Sequence, residues 1–541
     1  MRKTIEKKIK KTNANIHGRN AVQLILVGSV TGVFAGAIVS FFNILAHLGE
    51  ELSQNAYAFV RNNPVFIPLF FLTLFLGAFL IGVATQISSV IRGCGIPQAE
   101  GATRGYVRFR WFRDTTAMFA TCLLSISMGL SIGAEGPSVL IGACVGDGVA
   151  SCSHRNEMIK RYQITGGACT GLAVAGNAPL TGMIFAFEEA HKRFTPEVFI
   201  CAFSSVIFGM FTRTVIYSAF GLKSTVAFGS YALHELPISA YGFVALAGIV
   251  CGLLGVAFYK TCFFMRRQFK RIRLKNSKYN HALRIAVAVL LGGVVSLLAS
   301  GVMGGGHGLI HSLGTNGGAT QASVEKVFGL SLALSLCIIL VLKFFITSVN
   351  VGSGIPCGIF IPIIATGACL GGILNEVWIA LGMDEKYADL MIMLCMSAYF
   401  TTIVKAPLTS IVMICEFTGS FAPLLPVILA VSIGYIIGDI FRTDGIYEEL
   451  LEVYEHESGI HEHAVREVYT LTLTHGALAE KREIRDVLWP SGARVTEIRR
   501  GEEVILPDGD TVLRRGDVLT IVCKTPDHDK VKDELVHILG K

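Results

Sequence analysis

The 541-residue chain is 52% hydrophobic and only 16% charged, with a mean hydropathy of +0.57. Soluble domains carry about a quarter charged residues, so the composition excludes a soluble globular body. The net charge of +7 does not imply a nucleic-acid partner; Lys and Arg beside spans report topology and contact with anionic membrane lipid.

Residues 1–19 open with MRKTIEKKIKK and hold seven Lys and Arg, which reads as a basic cytosolic tail. The apolar runs Ala21–Leu48 and Pro64–Val90 exceed the roughly 20 residues that cross a bilayer. The first is longer than a secretory h-region and no small-residue cleavage site follows, so it reads as a span. Further apolar stretches recur up to Phe441. The expected fold is an all-α polytopic membrane protein over about residues 20–453. The 14 cysteines are scattered in apolar segments without metal-ligand spacing, so neither a disulfide framework nor a metal or other cofactor is expected.

The membrane part repeats itself. SIGAEGPSVLIGACVG (Ser131–Gly146) aligns with IPCGIFIPIIATGACLG (Ile355–Gly371), Gly133 falling on Gly358 and Pro137 on Pro362. NAPLTGMIFAFEE (Asn177–Glu189) lies over KAPLTSIVMICEF (Lys405–Phe417) at nearly the same offset. Small residues are common in packed spans, but that does not produce a shared register. The loop Arg266–Arg284 holds eight Lys and Arg, whereas Ala219–Pro237 holds one Lys. By the positive-inside rule the first half, about 20–220, starts inside and ends outside, and the second, about 238–453, does the reverse. That is an inverted repeat, with substrate expected between the halves near the midplane.

GCGIPQAEG (Gly93–Gly101), GAEGPSVLIG (Gly133–Gly142) and GSGIPCGIFIP (Gly352–Pro362) interrupt apolar segments in one way. Gly permits the bend and Pro suits the first helical turn. Each therefore reads as a loop feeding a helix start inside the membrane, tolerated where protein or a water-filled cavity surrounds it. Converging helix N-termini bind an anion without a full positive charge, and so weakly enough to release it. Glu135 falls in the first turn of such a helix, where its carboxylate competes with an anion for the same N–H groups; a competitor that a proton neutralises is a gate. Glu188 overlies Glu416 and is expected to be architectural, bonded to a helix end. Glu189 overlies Phe417 and breaks the symmetry, which makes it the candidate proton relay on the inner side.

These motifs resemble the CLC family of chloride channels and proton-coupled chloride transporters. GCGIP resembles its GSGIP motif, GAEGP its GREGP or GKEGP motif and GIFIP its GxFxP motif. GGGH (Gly304–His307), APLT and DGIYEELLE also fit, and the likeness runs from about Asn20 to Val453. It implies an inverted-repeat transporter fold and a homodimer with one pathway per subunit. Glu135 resembles the gating glutamate and Glu189 the internal proton glutamate. Tyr447 resembles the tyrosine that contacts the central anion. Ile359 and Phe360 would offer it backbone N–H groups, with Gly136 also at the anion site. Cys94 stands where an anion-coordinating serine is usual, a weaker donor in its place. Ala134 replaces a basic residue beside the gate, removing positive charge near the outer mouth. Tyr447 and GCGIP argue against the fluoride-specific branch.

Beyond Val453 the composition turns polar. His456, His461 and His463 in the linker 454–464 match no standard metal spacing, and the segment reads as a solvated acidic linker. Residues 465–541 read as a small α/β domain. Val468–Thr474, Ala493–Arg499, Glu503–Leu506 and Val518–Cys523 are predicted strands. Glu483–Leu488 is predicted as a short helix and Asp527–Leu539 as an amphipathic one. The order resembles the TrkA-C (RCK C-terminal) domain, which implies regulation by a small ligand or by domain pairing. The sequence thus points to a proton-coupled chloride antiporter in the plasma or inner membrane, both termini cytosolic. A passive chloride channel is the alternative. An intramembrane enzyme lacks HExxH or a credible GxSxG, and a cation transporter lacks a TVGYG-like filter.

Overall fold

The computed structural model describes residues 2–153, 157–192, 194–222, 228, 231–273, 279–314, 327–457, 465–490, 492–525 and 528–540. His461 and His463 lie outside them. In chain order the first half is α1 (Arg2–Asn62), α2 (Ile67–Ile87), α3 (Ile96–Arg104), α4 (Trp111–Ser127), α5 (Glu135–Cys152), α6 (Glu157–Gly176), α7 (Pro179–Phe185) and α8 (Pro196–Ala219). The second half is α9 (Tyr241–Arg271), α10 (Asn280–Leu298), α11 (His307–Leu313), α12 (Leu332–Ser353), α13 (Phe360–Ala380), α14 (Ala388–Val404), α15 (Pro407–Thr418) and α16 (Leu424–Ile440). Among the described residues eight helices are long and apolar enough to cross a membrane. The halves match element for element. Within the first, α1 packs on α8 and α5 on α6; within the second, α9 packs on α16 and α13 on α14. The equivalent pairs α2–α10 and α7–α15 meet each other across the divide.

Burial follows position in the bundle. All of α14 and most of α5 and α13 are buried, as expected of helices apolar on every side. α5 and α6 approach backbone to backbone: a Cβ on Gly142 would strike the Gly167 carbonyl, and one on Gly167 the Gly142 carbonyl. α1, α2 and α8 instead expose Leu26, Phe34, Leu69, Leu80 and Phe211, an apolar face suited to lipid.

Two carboxylates join the halves reciprocally. Glu188 accepts from the backbone N–H groups of Leu408 and Thr409 at the start of α15. Glu416 accepts from those of Leu180 (2.8 Å) and Thr181 (2.8 Å) at the start of α7, and from the Thr181 hydroxyl. Each satisfies helix-start donors that the bilayer interior offers no water to meet. Glu188 is therefore bonded to a helix end, as its repeat partner implied.

After α17 (Ile446–Glu457) comes an antiparallel sheet of β1 (Val465–Thr472), β2 (Ala493–Arg500), β3 (Glu503–Ile505) and β4 (Val518–Thr525), in the order β1-β4-β2-β3. α18 (His528–Leu539) packs on β1 and β4. The helix expected over Glu483–Leu488 is only the 3₁₀ turn Ile484–Asp486. Glu483 bridges to Val512 and the Ile484 N–H donates to the Thr511 carbonyl, so the backbone is drawn into the sheet margin rather than a helix. The domain docks on the membrane body. Arg482 pairs with Glu197 at the start of α8. Arg161 of α6 donates to the Trp489 carbonyl (3.1 Å) and the Thr103 carbonyl (2.9 Å).

Inside this domain Asp517 is fully buried and accepts from Arg500 Nε and Nη2 and from the Arg514 N–H, each at 2.8 Å. Burial acts to raise its carboxyl, but the Arg500 bonds and the Arg514 amide outweigh it and hold the group below its ordinary range. Its stabilisation is therefore complete above the unfolded value of ~3.9 and is lost as pH falls through the lower folded value. Asp517→Asn removes the charge that holds Arg500, whose side chain is 26% exposed and keeps its bond to the Val512 carbonyl, and should cost about 2 kcal/mol, in the range for a lost charge-assisted hydrogen bond. Hydrogen exchange over residues 493–525 in the full chain should show faster opening at pH 7 and a flatter response below pH ~4. Unchanged protection would refute the assignment.

Candidate functional site

The three interrupted loops meet between the halves and are laced by their own backbones. Gly133 N–H donates to the Gly358 carbonyl (2.8 Å) and Gly358 N–H returns a bond to the Gly133 carbonyl (3.0 Å). These two residues occupy equivalent repeat positions, so the pseudo-two-fold axis runs between them. Gly93 N–H donates to the Gly354 carbonyl and Cys357 N–H to the Gly93 carbonyl, both at 3.2 Å. The approach needs glycine: a Cβ on Gly358 would collide with the Gly133 carbonyl, and one on Gly136 with the Cys94 carbonyl.

This lacing leaves the starts of α3, α5 and α13 together. Ile359 and Phe360 stand at the start of α13, both buried; N–H groups of a first turn have no intrahelical acceptor. Phe360 is held edge-on to Phe400, with ring centroids 4.8 Å apart. Cys94 is 3% exposed and Tyr447, in the first turn of α17, is 2% exposed. The Tyr447 hydroxyl has no hydrogen-bond partner among the described residues and lies within electrostatic reach of Cys94, Glu100, Glu135 and Glu189. A buried hydroxyl with no acceptor among the described residues, near a thiol and first-turn amides, is a set of donors that suits a small anion. The sequence-predicted residues Cys94, Gly136, Ile359, Phe360 and Tyr447 thus fall around one centre.

Glu135 begins α5 and is 2% exposed. Its side chain does not dock on helix-start amides, contrary to the sequence expectation. It turns over Gly133, where a Cβ would meet its Oε2, and its Oε1 faces His307 Nε2 at 3.3 Å. Its Oε2 has no partner among the described residues. The carboxylate lines a cavity of about 50 Å³ with Asn43, His47, Glu50 and His307. A larger cavity of about 500 Å³ approaches from the face where α17 leads to the C-terminal domain. It reaches Cys94 and Cys357 past Arg92, Arg266, Lys270 and Arg284, of which Arg266 and Lys270 pair with Glu457 on the same wall. Two cavities therefore approach the laced loops, one ending at Glu135 and the other at Cys94.

Glu189 lies in a π-helical turn, Ala186–Ala190, a distortion frequent at functional positions. It is 6% exposed and neither carboxyl oxygen has a partner among the described residues. Its backbone carbonyl accepts from Arg104 Nη2 (3.0 Å). Arg104 also donates to both oxygens of Glu448 (2.9 and 3.0 Å) and lies 3.5 Å from Glu100. Sequence reasoning missed Glu100, Arg104, Glu448 and His307. Glu100 and His307 sat inside motifs already singled out, GCGIPQAEG and GGGH, where a titratable side chain in an apolar segment was the available signal.

Comparison with known proteins gives one family. The profile described as voltage gated chloride channel matches residues 76–439, and that of the TrkA-C domain matches residues 468–536. The H(+)/Cl(−) exchange transporter ClcA of Vibrio cholerae is 27% identical over 438 residues, covering 79% of this chain and 89% of that protein. A slow cyanobacterial Cl−/H+ antiporter superposes with a TM-score of 0.70 at 20% identity, over 81% of this chain and 99% of that one. A CLC-type fluoride/proton antiporter gives 0.61 at 21% identity, over 78% and 96%. By the length of that first match, and in agreement with loops that meet on a pseudo-two-fold axis, the chain belongs to the voltage gated chloride channel (CLC) family.

Proposed function

We propose that the chain is a proton-coupled chloride antiporter. The observation that carries this reading is the pair of buried carboxyls, Glu135 and Glu189, on either side of a centre built from neutral donors. An uncompensated carboxylate is costly to bury, and such groups within a membrane are functional by default. The exchange activity named for the ClcA relative, 27% identical over most of this chain, supports the same reading and favours it over a passive channel.

In the proposed cycle, chloride enters from the wide cavity, drawn by Arg92, Arg266, Lys270 and Arg284. It rests against the Cys94 thiol, the Tyr447 hydroxyl and the amides of Gly136, Ile359 and Phe360. These donors are partial charges, so the anion leaves readily. Glu135 closes the far side. Protonated, it releases its hold and anion passes; deprotonated, it competes for the same amides. Glu189 passes protons between the wide-cavity face and the centre. That face is cytosolic in this reading, with both termini inside a cell membrane and lipid around α1, α2 and α8. The chain is not an enzyme, and a homodimer with one pathway per subunit follows the family resemblance. The TrkA-C domain regulates transport through a small ligand or through domain pairing.

Reconstitution in liposomes tests the reading. A chloride gradient should drive protons against their own gradient; chloride dissipation without proton movement would identify a channel. Glu135→Gln should abolish coupling and leave chloride flux, and coupling that persists would remove Glu135 as the gate. Glu189→Val should stop proton movement while chloride still passes; surviving proton transport would overturn the relay. Cys94→Ser replaces a weak donor with a stronger one and should shift the chloride-to-nitrate permeability ratio. An unchanged ratio would assign the binding to amides and Tyr447 alone.

A further inference from the structure

The Glu135 side chain is 3% exposed, whereas that of His307 beside it is 33% exposed. His307 is the first residue of α11, set there by Gly306 at φ 103°. Its Nε2 faces Glu135 Oε1 at 3.3 Å. Among the described residues no hydrogen-bond partner holds its Nδ1. The titratable and charged groups around the ring are Glu135 from α5, His47 and Glu50 from α1, and Lys343 from α12. Lys343 is already engaged with the Ser131 hydroxyl and the carbonyls of Val302 and Gly304. His47 is exposed, its ring centroid 6.4 Å from that of His307. Phe228 covers another side, with centroids 6.0 Å apart.

From this placement we propose that His307 is the proton-transferring residue between the outer solution and Glu135. The inference rests on the antiporter reading and deepens it. Imidazole exchanges protons near neutral pH, and a positioned acid must lie within hydrogen-bond reach of its acceptor, with some looseness in a resting state. The imidazolium gives its Nε2 proton to Glu135 Oε1, leaving a neutral ring and a neutral carboxyl. When the carboxyl moves inward, Nε2 is uncovered and takes a proton from outer water, directly or from His47. A ring that only braced the gate would be fixed through its second nitrogen; this one is fixed by its contact with the carboxylate and by packing.

The test uses the full chain in liposomes, measuring chloride-driven proton movement from pH 5.5 to 8.5. His307→Asn should slow coupled exchange near neutral pH by about 100-fold, the lower end for a positioned acid–base group. It should also remove the imidazole-range inflection from the pH profile. Free imidazole added outside should restore part of the rate. His307→Lys keeps a positive charge but not a near-neutral proton exchanger and should be as slow as the Asn variant. His307→Gln keeps a hydrogen-bonding group toward Glu135 and serves if the Asn variant does not elute as a monodisperse protein. An unchanged rate and profile would overturn the proposal, as would full activity in the Lys variant or a loss that imidazole leaves untouched. A wild-type chain that moves no protons would instead sink the antiporter reading itself, so the two failures are distinguishable.

Discussion

Irregular backbone at the middle of a bilayer has no water to satisfy it, so each exposed N–H and carbonyl must be met by protein or by cargo. The fold answers this at one place with the paired bonds between Gly133 and Gly358. That bridge lets two loops cross where a side chain would prevent it, and the Gly93–Gly354 and Gly93–Cys357 bonds extend the ladder to the third loop. With the loops satisfied against one another, the donors left over are those of the first helical turns. They belong to different helices whose starts lie together. The proposed anion centre is what remains when the rest of the loop backbone has been paired.

The character of that centre follows from what is near it and what is not. Arg92, Arg266, Lys270 and Arg284 line the wide cavity, while the centre itself is bounded by Cys94, Tyr447 and the start of α13. In the proposed cycle the net positive wall, Arg266 and Lys270 being shared with Glu457, attracts the anion over distance and partial charges hold it, which separates arrival from retention. The carboxyls obey the opposite rule. Glu188 and Glu416 are fully engaged by amides, whereas Glu189 has both oxygens unmet and Glu135 one. The half-buried Glu188 and Glu416 are thus used by the architecture, whereas the more deeply buried Glu135 and Glu189 keep oxygens unmet among the described residues.

Much of this was legible in the sequence because it depends on local chemistry. Gly and Pro at fixed spacing announce a loop feeding a helix, and the two offsets of the internal repeat locate the loops opposite one another. The repeat even separated Glu188 from Glu189, since only the first has a counterpart in Glu416. Long-range partners were not legible. His307 reaches Glu135 across 172 residues, through the orientation of a two-turn helix that no periodicity specifies. In the C-terminal domain Glu483–Leu488 carries helical propensity, but pairing with 511–512 decides its conformation, a tertiary override of a weak local preference.

The exchanged caps have a consequence in time. Leu180 donates to Glu416 across 236 residues of chain. At about 5–20 residues synthesised per second, the start of α7 waits roughly 12–47 s for its acceptor. During that interval its amides sit at membrane depth without their final partner. The start of α7 therefore lacks its final cap until the second half has been made. The symmetry of the molecule is also an order of events, in which α7 is completed only after α15 has been made.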